Sequence, residues 1–213
     1  MHDLFSFLPS SFIPELLNGM KVNFQIAFAS LIVSLFIGVL LTGVSLMGGF
    51  VGKIIAFFIA LIRAMPTFLA MICLLYLIPK QIDIAGSSFS LSGIVIVILS
   101  LLPYAVAYVF DNLSESIRQW RRGQMVTALQ LLPNLSRMFF ILIMSSSAGA
   151  AIGVTEGVAT LLRYASRLES FQERLVLYAI GILFFGIIMQ TAFALINLLR
   201  GVMIERVSRR AEA

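Results

Sequence analysis

Chemistry-bearing side chains are scarce in this sequence. Its 213 residues include one histidine, His2, one cysteine, Cys73, and one tryptophan, Trp120, and only 12% of positions are charged. So few histidines and cysteines rule out the usual His- or Cys-based triads and suggest no metal cluster, and one thiol cannot form an intrachain disulfide. His2, beside the N-terminus, is read as having no role. No GxxxxGK[ST] run is present to cradle a nucleotide's phosphates, and no HExxH run is present to hold zinc. An intramembrane hydrolase using Ser or Asp is disfavoured rather than excluded. The chain is read as a non-enzyme that binds no cofactor of its own.

What is abundant is apolar. Hydrophobic residues fill 60% of positions and the mean hydropathy is +1.03, against about 45–50% apolar in soluble domains. The apolar runs reach the ~20 residues that cross a bilayer as helix. They are apolar on all sides, unlike the alternating strands of an outer-membrane barrel, and a helix satisfies its own backbone in lipid. The expected class is an all-α integral membrane protein. The net charge of +5 does not signal nucleic acid, because much of the basic excess lies between or beyond apolar segments. The N-terminus lacks a basic start, and Asp3 and Glu15 precede the first run, so that run reads as a retained helix rather than a signal.

Five spans fit the pattern, in one membrane domain covering residues 1–213. Residues 1–21 read as an interfacial leader. The spans follow at about Val22–Met47, Ile54–Ile78, Leu91–Phe110, within Met125–Leu162, and Leu175–Leu199. The second is interrupted by Arg63 and Pro66, and the fourth is broken by Pro133-Asn134. Gln81–Ser88 reads as a polar turn, Arg163–Arg174 as a charged connection, and 205–213 as a cytoplasmic tail. An N-out, C-in arrangement places Lys53, Arg118, Arg121, Arg122, Arg200, Arg206, Arg209 and Arg210 inside. Lys21, Lys80, Arg163, Arg167 and Arg174 then fall outside, the last three interleaved with Glu169 and Glu173. This is the bias that the positive-inside rule expects.

A few residues stand out within the apolar runs. Arg63 lies roughly 15 Å along a helix from Lys53, near mid-membrane, where a guanidinium needs a partner or a wet cavity. Pro66 frees a backbone carbonyl nearby. Arg63 is either a structural cation at a helix contact or part of a polar pathway. Glu156 is either a solvated residue at the outer end of the fourth span, or a vestibule residue, or a partner of Arg63. Gly149 and Gly153 form a GxxxG pattern beside Ser145, Ser146 and Ser147, which suits close helix packing or a hydroxyl-lined path. Trp120, between Arg118 and Arg121, fits a membrane-interface anchor.

Several motifs, in order, resemble the membrane subunits of ABC importers for polar amino acids. Leu17–Ala27 is similar to the start of that family's first helix, with Asn23 at a usual Thr. Arg63-Ala64-Met65-Pro66-Thr67 resembles its Arg-Gly-Thr-Pro-Leu, and Tyr76–Pro79 its aromatic–apolar ending. Ala107-Tyr108-Val109 with Asp111 resembles Ala-Tyr-x-x-Glu. Ile117, Arg122, Gly123 and Gln124 fall where the family has Ile…Lys-Gly-Gln. Ser145-Ser146-Ser147 with Ile152–Glu156 resembles Ser-Ser-Ser…Ile-Gly-Val-Thr-Glu, and Leu132–Phe139 resembles Leu-Pro-Pro-Leu-Ser-Asn-Glu-Phe. The family's coupling helix, which docks into the ATPase, should begin after Gln124. Here Met125-Val126-Thr127-Ala128-Leu129 departs from its Trp-Glu-Ala-Ala signature, and the link reads as shortened by several helical turns.

The resemblance implies a type I ABC-importer permease fold in a bacterial plasma (inner) membrane. It implies half of a substrate pathway for polar or charged amino acids, opened by alternating access. The implied partners are an ATPase subunit that hydrolyses ATP, a second permease subunit and an extracytoplasmic amino-acid-binding protein. Pathway residues would be Arg63, Pro66, Ser145, Ser146, Ser147 and Glu156. The ATPase contact would be Arg118, Arg121, Arg122, Gly123 and Gln124. The shortened link leaves a second reading open: a permease-derived, non-pumping scaffold or regulatory subunit that has lost ATPase coupling. A passive channel is the third.

Overall fold

The structure is a computed structural model that describes residues 8–84, 87–124 and 130–211. The chain forms two compact units, one of Ser11–Thr160 and one of Met1–Ser10 with Leu161–Ala213. The first unit begins with α1 (Phe12–Leu46), α2 (Gly49–Ala64) and α3 (Thr67–Leu77). It continues with strands β1 (Gln81–Ile84) and β2 (Ser87–Ser90), α4 (Gly93–Arg121), α5 (Leu131–Ser146) and a 3₁₀ turn over Ser147–Ile152. The helix α6 (Gly157–Ala165) crosses the unit boundary, and α7 (Phe171–Ala211) follows it.

Four helical segments are long and apolar enough to cross a membrane: Phe12–Leu46, Gly93–Arg121, Leu131–Ile152 and Phe171–Leu195. The pair α2–α3 makes a fifth if its two arms, bent by 99°, count as one span. The chain is thus a multi-pass membrane protein. The bend falls at Pro66, whose ring cannot continue the helix of α2 and which holds the preceding residue extended. Met65 accordingly lies at φ −77°, ψ 138°.

Several boundaries differ from those expected. α1 begins at Phe12, so the second half of the anticipated leader is the first three turns of the spanning helix, with Pro14 accommodated in the first turn. Gln81–Ser88 is part of an antiparallel hairpin pairing Gln81 with Ser90 and Ile82 with Phe89, rather than a turn alone. Pro133 does not break the fourth span. It sits in the first turn of α5, where its missing N–H would have had no intrahelical acceptor. The break comes instead at Gly153. α4 runs 29 residues with Pro103 inside it, or about 43 Å. That exceeds the ~30 Å hydrocarbon core, so the polar stretch 111–121 is helix that emerges from the bilayer.

The core of the first unit is built on α1, which packs chiefly on α4 and α5. α1 buries Phe12, Leu16, Met20 and Ile26 toward its start, together with Gly19, Asn23 and Ala27. Beyond Ala27 its buried residues are Ser30, Ser34, Gly38 and Thr42, a stripe of small or polar side chains at helical spacing. Phe28, Ile32, Phe36 and Leu40 occupy the opposite, exposed face. This inverts the soluble pattern. Lipid offers no hydrophobic drive between helices, so small residues that let backbones approach take the contact face. At Gly38 the approach is close enough that a Cβ would lie 2.5 Å from Val109 Cγ1. Beside it, Ile59 of α2 packs with Val106, Ala107 and Phe110 of α4.

In the second unit, Leu161 and Gly181 are in close contact: a Cβ on Gly181 would meet the Leu161 side chain at 2.6 Å. The guanidinium groups of Arg163 and Arg167 lie 5.8 and 5.5 Å from the Tyr164 ring centre. Arg174 Nε donates to the Leu168 carbonyl at 2.8 Å.

Candidate functional site

The expected pathway residues divide among three places. The first is a buried polar hub around Asn23. Its Nδ2 donates to Ser146 Oγ at 2.8 Å and to Glu156 Oε2 at 2.9 Å, with Ser147 Oγ at 3.4 Å. Its Oδ1 accepts from the Gly157 N–H at 3.0 Å. Ser146 is free to accept because its own hydroxyl donates to the Ile143 carbonyl at 2.7 Å. Glu156, 0% exposed, caps α6: its carboxylate accepts from Val158 N–H at 2.9 Å and Ala159 N–H at 2.7 Å. These are the second and third residues of the helix, whose orphan donors and positive dipole end favour an anionic cap. Glu156 is therefore neither solvated nor paired with Arg63. It is a fully buried anchor between α1, the end of α5 and α6. Gly19 makes the hub possible, since a Cβ there would lie 2.7 Å from the Glu156 backbone.

The second place is an ion pair. Arg63, at the end of α2, reaches Asp111 of α4 at 3.3 Å, with the side chains 55% and 34% exposed. Next to it, Asn134 Nδ2 of α5 donates to Asn112 Oδ1 at 2.6 Å, and Asn112 Nδ2 donates to the Tyr108 carbonyl at 2.8 Å. Polar contacts thus tie α2, α4 and α5 together near one end of the bundle. Arg63 therefore sits at the end of the bundle where α4 emerges, not at mid-membrane as expected, and is paired there.

The third place is a cavity of about 620 Å³ at the Pro66 bend, between α3, α4 and α5. Its walls include Met65, Phe68, Met71, Leu74, Leu101 and Ile141. Thr67, Ser100, Tyr104 and Ser145 contribute hydroxyls, and Cys73 lies in the lining. Of the three adjacent serines, only Ser145 faces this space; Ser146 and Ser147 face the hub. Pro66 belongs here through its neighbours Met65 and Thr67. Among the described residues, no charged side chain lines the cavity, and no cluster of three or more His, Cys, Asp or Glu could hold a metal.

The residues expected at the ATPase contact, Arg118, Arg121, Arg122, Gly123 and Gln124, gather at the exposed C-terminal end of α4. Arg118 pairs with Glu115 at 2.8 Å. Gly123, at φ +77°, stops the helix: its N–H bonds the Trp120 carbonyl at 2.9 Å and the Gln124 N–H bonds the Gln119 carbonyl at 3.0 Å. This is the αL stop that glycine alone adopts without a Cβ penalty. Gly153, at φ +87°, repeats it after the 3₁₀ turn, with Gly153 N–H on Ala150 and Val154 N–H on Gly149. The GxxxG pattern therefore has two jobs, since only Gly149 packs, 3.1 Å from Val97 for an added Cβ. The run Met125–Leu129, on which the shortened coupling segment was placed, lies outside the described residues.

One solved structure decides the architecture. The chain superposes on a protein described as an amino acid ABC transporter with histidines, with a TM-score of 0.67 over 89% of this chain and 94% of that one, at 15% identity. The fold is that of an ABC-transporter permease. No protein-family model matches the chain, and no curated protein matches it in sequence. Asn23 is the site residue that sequence reasoning missed. It drew notice only as a departure from a usual Thr, and an amide in the first apolar run was the available signal.

Proposed function

We propose that this protein is a membrane-spanning subunit of an ATP-driven ABC importer for amino acids in a bacterial plasma membrane, contributing half of the substrate pathway. Support comes from the permease fold together with a cavity at the Pro66 bend that Ser145 and the residues flanking Pro66 line. The partners are an ATPase subunit that hydrolyses the ATP, a second permease subunit, identical or different, and an extracytoplasmic binding protein. Arg118, Arg121, Arg122, Gly123 and Gln124, exposed where α4 stops, supply the ATPase contact. The sequence resemblance alone implies polar or charged amino acids as the substrate class. Affinity purification of the tagged chain from its native membrane should recover an ATPase and a permease partner, and that complex in vesicles should accumulate an amino acid only with ATP. Repeated recovery of neither partner would sink the proposal.

The departure of Met125-Val126-Thr127-Ala128-Leu129 from the family's coupling signature favours a second reading, a permease-derived subunit without ATPase coupling. Coupling needs a physical two-state connection between the ATPase and the helices. Arg121→Glu with Arg122→Glu separates the two: lost ATPase contact and falling uptake support the importer, and unchanged uptake supports the scaffold.

A further inference from the structure

We infer that the cavity at the Pro66 bend selects an uncharged ligand with an apolar body, so that the substrate is an apolar amino acid rather than a polar or charged one. This rests on the importer reading of the same site and departs from the resemblance in the substrate class. The α2–α3 stretch from Ile54 to Leu77 holds one charged residue, Arg63. Its guanidinium is turned to Asp111 at 3.3 Å and takes no part in the lining. What remains is hydrocarbon, two methionines, a thiol and four hydroxyls. A charged side chain moved into such a space loses its hydration without gaining a counter-ion, a cost that it avoids only by pairing. An apolar side chain gains from the same walls, and Met65 and Met71 adapt to its shape because an unbranched thioether fills irregular gaps. The hydroxyls of Thr67, Tyr104 and Ser145 in the lining are the polar groups available to the ammonium and carboxylate of such a ligand, whose two charges offset each other. Ser100 can only accept there, since its proton is given to the Val97 carbonyl at 2.8 Å.

Cys73 makes the inference testable without the partner subunits. It is the chain's single thiol, it is exposed, and it lies in the lining. The full chain in lipid vesicles is labelled with neutral, cationic and anionic methanethiosulfonates, with Cys73→Ser as the blank. The neutral reagent should react about tenfold faster than either charged one, equivalent to ~1.4 kcal/mol. Leucine or phenylalanine should slow the neutral reaction several-fold, while arginine and glutamate leave it unchanged. Ser145→Asp, which sets a carboxylate in the opposite wall, should speed the cationic reagent selectively. Protection by arginine or glutamate would overturn the substrate class and leave the importer reading standing. Labelling that follows the acyl-chain length of the vesicles and ignores every amino acid would mark a lipid crevice and overturn the inference. The importer reading itself falls only on its own measurement, the absence of ATP-dependent uptake by the purified complex.

Discussion

Asn23 joins three segments of the first unit through one side chain. One amide bonds α1 to the end of α5 and to both the backbone and the carboxylate at the start of α6. Replacing it with leucine, similar in volume, orphans the buried Gly157 N–H, at about 1–3 kcal/mol, and takes one partner each from Ser146 and Glu156, which keep their other hydrogen bonds. Asn23→Leu should therefore lower the melting temperature of the detergent-solubilised protein markedly, whereas Arg63→Gln, at a half-exposed pair, should shift it little. Melting followed by size-exclusion of the heated protein measures both. An unchanged melting point for Asn23→Leu would show the hub to be dispensable. The sequence marked Ser145–Ser147 and Glu156 as worth notice but not what they meet. Asn23 and Glu156 are 133 residues apart, and no local pattern announces a partner at that separation.

At the scale of elements, stops are as informative as spans. Gly123 and Gly153 end their helices with the same pair of backwards hydrogen bonds. Alanine at Gly123 would have to hold φ +77°, at a cost of about 1 kcal/mol. Gly123→Ala should speed amide exchange over Gln119–Gln124 and leave the α1–α4 core protected; unaltered exchange there would argue against the stop. The spans were legible because apolar length is what a bilayer demands. Of the two expected breaks, the one at Pro66 holds, and the one at Pro133-Asn134 was misplaced because proline was weighted by type rather than position. Pro133 starts a helix, Pro103 is absorbed by one, and only Pro66 bends the path. The small-residue stripe on α1 was present in the sequence too. It was overlooked because in lipid the contact face is the less hydrophobic one.

For the whole molecule, the number of crossings turns on the bent α2–α3 pair. If its arms together count as one crossing, five spans put the termini on opposite sides, and the bias of basic residues sets the C-terminus inside. A C-terminal fluorescent protein should then mature in the cytoplasm, and an N-terminal periplasmic reporter should be active. Both termini on one side would mean four crossings and a re-entrant α2–α3. The permease fold was legible as an ordered set of modest motifs, while the emptiness of charge in its cavity was not, because the lining comes from three helices at once. The long-range hub carries a further consequence for how the protein is made. At about 5–20 residues per second, some 7–27 s of synthesis separate Asn23 from Glu156. Through that interval the first helix waits in the membrane with its amide unmatched. Insertion of this chain is therefore committed early and rewarded late, and the newborn protein is most exposed to quality-control proteolysis before α5 and Glu156 arrive.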